Sequence, residues 1–217
     1  MTVSKIYFRL SILIGLLLTI TTVMTFGMEY VVRVDQMELG KIITENTKNG
    51  WTSVSELEYG EKYKVETRTT YGKSGLFEVY EATFVTGDEV VAKILGTNKQ
   101  NRISITVYMY YDDPKNPSVK TFTFDNSSMV ILDNNFVIPH FEMMLKTPSP
   151  VFTILIPQAL FDPSKTEKAS GNAQLKRTAN GKYVLSYEGV DITISTDKLG
   201  IVSMEYSNGI TVERVKK

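Results

Sequence analysis

Between Arg102 and Tyr111 the chain alternates with a period of two. Ile103, Ile105, Val107, Met109 and Tyr111 fall on one side, and Ser104, Thr106, Tyr108 and Tyr110 on the other. That spacing is wrong for an amphipathic helix and right for a strand with one face against a core. The same alternation recurs over Tyr30 to Gln36, Lys41 to Glu45, Thr52 to Glu58, Lys62 to Thr70, Leu76 to Val85 and Glu89 to Leu95. Turns are expected at Glu38-Leu39-Gly40, Tyr59-Gly60-Glu61 and Thr86-Gly87-Asp88. Toward the C-terminus, Lys182 to Tyr187, Asp191 to Thr196, Ile201 to Ser207 and Ile210 to Val215 form a four-strand meander. Its turns fall at Glu188-Gly189, Asp197-Lys198-Leu199-Gly200 and Ser207-Asn208-Gly209, where glycine supplies positive φ. Strands joined by such short turns run antiparallel, because parallel neighbours need a long crossover.

One stretch departs from this rhythm. After a strand near Met129 to Leu132 and the turn-forming Asp133-Asn134-Asn135, Ile138 to Lys146 reads as a short helix. Pro139 suits a first helical turn, and Phe141, Met144 and Leu145 share a face. Thr147-Pro148-Ser149-Pro150 ends it, and Val151 to Ile156 resumes strand. The polar run Phe161 to Gly171 is expected to be a mobile loop, and Asp112 to Pro117 a second exposed loop. The expected fold is mainly β: a strongly curved antiparallel sheet or open barrel, a meander wrapped around a short helix. With no linker or composition shift, residues 28–217 read as a single domain.

Residues 1–27 form a separate unit, a signal peptide or an N-terminal membrane anchor. Lys5 and Arg9 give a positive start, Leu10 to Gly27 carries no charge, and Thr25 and Gly27 are small residues ahead of Met28. Ile6 to Phe26 is also long enough to span a bilayer if Arg9 snorkels. Positive charge on the N-side places the rest outside the cytoplasm in either case. The expectation is an exported protein of the periplasm, cell envelope or extracellular space, touching membrane through residues 1–27 only if that segment is retained. The chain has no cysteine, which excludes a lipid-modified N-terminus, disulfides, a thiol nucleophile and cysteine-ligated metal. Basic and acidic residues balance at 24 each, so nothing in the charge favours nucleic acid.

Motifs for chemistry are sparse. His140 is the one histidine, with Asp133 seven positions before it. A Ser-His-Asp arrangement is conceivable, but no Gly-x-Ser-x-Gly elbow accompanies it, and a capping or surface role is the more ordinary one. Gly72-Lys73-Ser74 resembles the end of a phosphate loop, yet Thr67 stands where the first glycine belongs and a strand follows instead of a helix. Glu56, Glu58, Glu61, Glu66, Glu78, Glu81, Asp88 and Glu89 offer carboxylates at the spacing of a solvated strand face. Neither Asp112-Asp113 nor Asp125-Asn126 matches an EF-hand register. No catalytic residue, metal site or cofactor is assigned. Tyrosines at 59, 63, 71, 80, 108, 110, 111, 183, 187 and 206 accompany the strands. They suit either a binding surface or the ordinary preference of tyrosine for strands.

Met37-Glu38-Leu39-Gly40-Lys41-Ile42 near the start and Asp197-Lys198-Leu199-Gly200-Ile201-Val202-Ser203-Met204-Glu205 near the end resemble envelope proteins of the LolA/LolB-like type and DUF3108-type domains. The layout is also similar to the β-rich domain preceding some secreted α/β-hydrolases. There a segment like Val130-Ile131-Leu132-Asp133-Asn134-Asn135 through His140 precedes a strand like Ile154-Leu155-Ile156-Pro157-Gln158. The resemblance implies a curved sheet around a helix that binds lipid or another hydrophobic ligand.

Three functions follow. The first is a non-enzymatic envelope protein holding a lipid or other hydrophobic ligand on the concave face of its sheet, in a pocket lined by Ile105, Val107, Met109, Phe141, Met144 and Leu145. The second is a cell-surface interaction or assembly module with an envelope protein as partner. The third is a carboxylate-dependent hydrolase, whose acidic pair would face across a cleft.

Overall fold

The computed structural model describes residues 27–58, 60–110 and 115–216. The signal or anchor segment lies outside these residues but for Gly27, as do Tyr59, Tyr111 and the first residues of the Asp112 to Pro117 loop. The fold is one large, curved, open sheet of fifteen strands. Its N-terminal half is β1 (Met28–Val34), β2 (Met37–Thr47), β3 (Gly50–Glu58), β4 (Lys62–Tyr71), β5 (Phe77–Thr86), β6 (Glu89–Lys99), β7 (Arg102–Met109) and β8 (Ser118–Phe124). Its C-terminal half is β9 (Val130–Ile131), β10 (Val151–Leu155), β11 (Ser170–Arg177), β12 (Tyr183–Tyr187), β13 (Val190–Asp197), β14 (Gly200–Tyr206) and β15 (Ile210–Arg214). β1–β8 and β10–β15 are each a meander, with β9 added at the outer edge of the second, and the two halves are sewn together by antiparallel pairing of β1 with β15, Tyr30 opposite Arg214.

Where period two breaks, the sheet bulges. Leu39 and Ile42, Phe77 and Tyr80, and Ile201 and Met204 are each three apart yet all buried. Register shifts lie between these pairs or beside them, in β1–β2, β4–β5 and β13–β14. The extra residue of a bulge returns the next side chain to the same face. Leu39-Gly40 is therefore not the turn the sequence suggested. The first hairpin turns at Asp35-Gln36, where Asp35 adopts φ 53°. Gly40 sits inside β2, where a Cβ would fall 2.0 Å from the Glu56 carbonyl oxygen.

Two further strands, β8 and β11, were not evident in the sequence; apart from Val119, both are polar on their exposed positions. The expected loop at Phe161 to Gly171 carries regular structure instead. One 3-10 helix, Pro157–Phe161, leads into it and a second, Pro163–Ala169, occupies most of it, and Ala169 is fully buried. Asp162 caps the second by accepting from the Ser164 N–H at 3.0 Å.

The core is divided. One cluster lies between β1–β3, β12–β15 and the helix, and the other against β4–β7. Val130, Leu132, Ile154 and Ile156 belong to the first, while Ile131 and Leu155 belong to the second. The far edge of the sheet thus enters its own interior as a wall between two cores. Among the described residues β9 and β10 form the one parallel pair, Ile131 beside Leu155. Strands buried on both faces read as unbroken apolar runs, which is how Met129 to Leu132 and Ile154 to Ile156 read. The crossover such a pair requires is supplied by α1 (Ile138–Leu145), close to its expected bounds.

Candidate functional site

An eight-residue helix is marginal alone, and α1 has no side-chain N-cap, no acid in its first turn and no base in its last. Buried contacts must hold it. Its apolar anchors are Ile138, Pro139, Phe141 and Met144. Its polar anchors rise from the inner faces of β3–β5. Ser55 donates to the Asn135 carbonyl at 2.7 Å, Thr69 Oγ1 meets His140 Nε2 at 2.9 Å, and Tyr80 donates to Asp133 Oδ2. Asp133 Oδ1 accepts from the Asn135 main-chain N–H at 2.8 Å and from its side-chain amide at 2.7 Å. Gln158 Nε2 stands 3.4 Å from the Tyr80 hydroxyl. Asp133, His140 and Tyr80 are wholly buried.

This is the place where a catalytic triad would have to be, and the hydrogen bonds are wrong for one. Nδ1 of His140 accepts from the main-chain N–H of Asp133, at 3.1 Å, and does not meet a carboxylate. A peptide N–H can only donate, so Nδ1 carries the lone pair and the proton sits on Nε2. Nε2–H therefore donates to Thr69 and cannot take its proton. Burial pushes the imidazole pKa down to about 3. Burial also raises the Asp133 carboxyl, against the donors Tyr80, Asn135 and Gln158, which pull it down. The cluster is a sealed polar lock between helix and sheet. Among the described residues no group of three or more His, Cys, Asp or Glu could hold a metal.

A second polar group lies at the C-terminal half of α1 and is not sealed in the same way. Glu142 is half-buried, and Ile201 N–H points at its Oε1 from 3.4 Å. Tyr30 donates to the Ile201 carbonyl at 3.2 Å, and Arg214 pairs with Asp197. Burial, and then the Glu142 carboxylate, hold the Tyr30 and Tyr71 phenols well above their ordinary range. Burial likewise raises the Glu142 carboxyl. The Tyr71 hydroxyl is buried and finds no hydrogen-bond partner among the described residues. The same holds for Ser53 Oγ, on the inner face of β3, two positions before the Ser55 that anchors the helix lead-in. Thr44, Ser53, Ser55, Thr67 and Thr69 make this part of the wall hydroxyl-lined, although all five are buried.

The six residues expected to line a hydrophobic pocket fall into two groups. Phe141 and Met144 are in the first core, with Leu145 against its edge. Ile105 and Val107 are in the second, with Met109 against its edge. The β9–β10 wall stands between them. Surface clefts at Thr178–Thr193, at Leu39–Tyr63 and at Asn172–Ser186 involve none of the six. Of the tyrosines, Tyr30 and Tyr80 are core, and Tyr63, Tyr71, Tyr108, Tyr110, Tyr183, Tyr187 and Tyr206 are half-buried. Thr69, Ser53 and Arg214 were invisible as site residues in the sequence, because each gains its role from an element far along the chain.

No helix among the described residues is long and apolar enough to cross a membrane. No protein-family model matches the sequence, and no curated protein matches it. Among solved structures, the chain is similar to a β-barrel-like protein of a domain of unknown function, DUF1849, from Brucella abortus. The two share 11% identity at a TM-score of 0.46, over 88% of this chain and 97% of that one.

Proposed function

We propose that the chain is an exported, non-enzymatic envelope protein that binds a lipid or similar amphipathic ligand between the sheet and α1. The observation that carries this reading is the pair of buried hydroxyls without a partner among the described residues, Ser53 Oγ on β3 and Tyr71 Oη at the end of β4. An unpaired buried hydroxyl costs about 1–3 kcal/mol, so a fold that keeps two has a reason to do so. A ligand head carrying acceptor oxygens would satisfy both. The apolar tail would lie against Phe141, Met144 and Leu145 as the C-terminal half of the helix moves outward. The N-terminal half stays fixed by the His140 and Asp133 lock, which makes the helix a hinged cover. Ile105, Val107 and Met109 would be reached only by a tail that passes the β9–β10 wall.

Native mass spectrometry of the chain purified from its own envelope tests the proposal. An adduct of lipid mass, and binding of a fluorescent fatty-acid analogue that Leu145→Arg weakens at least tenfold, are expected. A folded chain with neither adduct nor analogue binding overturns it.

A further inference from the structure

Basic and acidic residues balance over the chain, but the fold separates them. Successive turns of an antiparallel meander fall at alternate ends of the sheet. At one end they carry Asp35, Glu61, Asp88 and Glu188, with Lys115 the base in the longer β7–β8 loop. The segment between β10 and β11, at the same end, has as many acids as bases. At the other end the turns carry Lys48, Lys73, Lys182 and Lys198, with Asp125 the acid that follows β8. Lys146, which follows α1, and Lys216, which follows β15, join them: Glu142 of α1 reaches the start of β14, and Tyr30 of β1 lies opposite Arg214.

Lys48, Lys73, Lys146, Lys198 and Lys216 are exposed, and none is in an ion pair among the described residues. Lys182 instead reaches back to Glu205, 3.7 Å away. Most acids near this end are already paired: Asp125 with Arg102, Asp197 with Arg214, Glu29 with Lys41 and Glu213 with Arg33. Glu45 and Glu78 are exposed but set back along their strands. Beside Lys198 stands Leu199, at 73% the most exposed large hydrophobic residue among those described. Tyr30 opposite Arg214 and Ser203 opposite Glu213 place the end of β15, and with it Lys216, between the start of β1 and the start of β14. Lys198 and Leu199 turn into β14, and Gly27 leads into β1. The uncharged run Leu10 to Gly27 is therefore joined to the domain at its basic end, two strands from Leu199.

We propose that this end of the domain rests on an anionic lipid bilayer, with Lys48, Lys146, Lys198 and Lys216 at the headgroups and Leu199 inserted among them. The lysines stand on separate turns and line no common groove, so a broad anionic surface meets them together, where a compact acidic ligand would not. An apolar tip flanked by lysine is the pattern of a residue that dips into the headgroup layer. The apolar run attached beside it brings the same end of the fold to a membrane, and the acidic turns at the opposite end are repelled by one. The docking does not rest on the ligand proposed above, although Met143 to Lys146, the half of α1 that would open, faces the same surface.

The absence of cysteine lets single sites be labelled in the full chain, reconstituted in vesicles of phosphatidylcholine with or without phosphatidylglycerol. A polarity-sensitive dye on Leu199→Cys should be at least threefold less quenched by aqueous acrylamide when phosphatidylglycerol is present. High salt should remove that protection, because it screens exposed charges. The same dye on Asp88→Cys, at the acidic end, should be quenched equally in both vesicles. Lys48→Glu, Lys198→Glu and Lys216→Glu together should abolish the protection at Leu199→Cys while leaving the melting temperature unchanged. Equal quenching at Leu199→Cys in the two vesicles overturns the proposal, as does equal protection at Asp88→Cys. So does protection that appears only when an acidic protein is added and not with anionic lipid. A chain that holds no ligand between sheet and helix leaves every one of these readouts in place, so the two proposals fail separately.

Discussion

The main-chain N–H of Asp133 donates to Nδ1 of His140 across 3.1 Å, so the histidine is held neutral, with its proton on Nε2 facing Thr69. Its folded pKa of about 3 lies below its ordinary 6.5. Between those values the unfolded chain binds a proton that the folded chain refuses. Stability should fall on acidification through that window, by up to about 1.4 kcal/mol per pH unit. Asp133 acts with the opposite sign: its raised folded pKa favours the fold as pH falls through the carboxyl range. Denaturant titrations from pH 7 to 4 should show the loss. His140→Gln should be less stable at neutral pH by about 2–4 kcal/mol and should lack the slope above pH 5.

Tyr80→Phe removes one of the donors to the Asp133 carboxylate, inside a site closed to water. The expected loss is about 1–3 kcal/mol. Asp133→Asn should lose less in the Tyr80→Phe background than alone, because the two groups share one bond. A double-mutant cycle by chemical denaturation reads that coupling.

Gly40→Ala should be severely destabilising, since its Cβ would collide with the Glu56 carbonyl inside a paired strand. Gly60, at φ 84°, has open space where a Cβ would stand, with nothing within 4 Å. Gly60→Ala should cost only the backbone strain, about 1 kcal/mol. Melting temperatures of the two variants separate a steric from a conformational requirement.

Ser53→Ala and Tyr71→Phe each delete a buried hydroxyl with no partner among the described residues. Both should leave the empty protein as stable as before or more so, by up to about 1 kcal/mol. Both should weaken binding of the fatty-acid analogue. Thermal stability and analogue affinity moving in opposite directions would mark these groups as kept for a ligand. Unchanged affinity would assign them to the resting fold alone.

The sequence carried the hairpins well where glycine marked the corner, as at Gly87 and Gly209, both at positive φ. It misled where the corner was made without glycine. Asp35 turns the first hairpin, and Gln100 and Asn101, both at positive φ, turn β6 into β7. Gly40, which looked like a turn, serves a close approach between strands. The helix was legible because its apolar spacing is local. The polar lock was not, because Tyr80 and Asp133 are 53 positions apart and nothing near either announces the other. Ala169 lies amid lysine, serine and threonine, so its burial could not be read from its neighbours.

The seam between β1 and β15 imposes an order on assembly. Of the described strands, β1 is made first and its seam partner β15 long after it, Tyr30 waiting for Arg214. Until β15 emerges, β1 must stay solvated on that side. The inner wall cannot be seated before the two halves meet around it. Such a molecule gains its cooperativity late, and loss of β15 would undo the middle of the structure instead of fraying an edge.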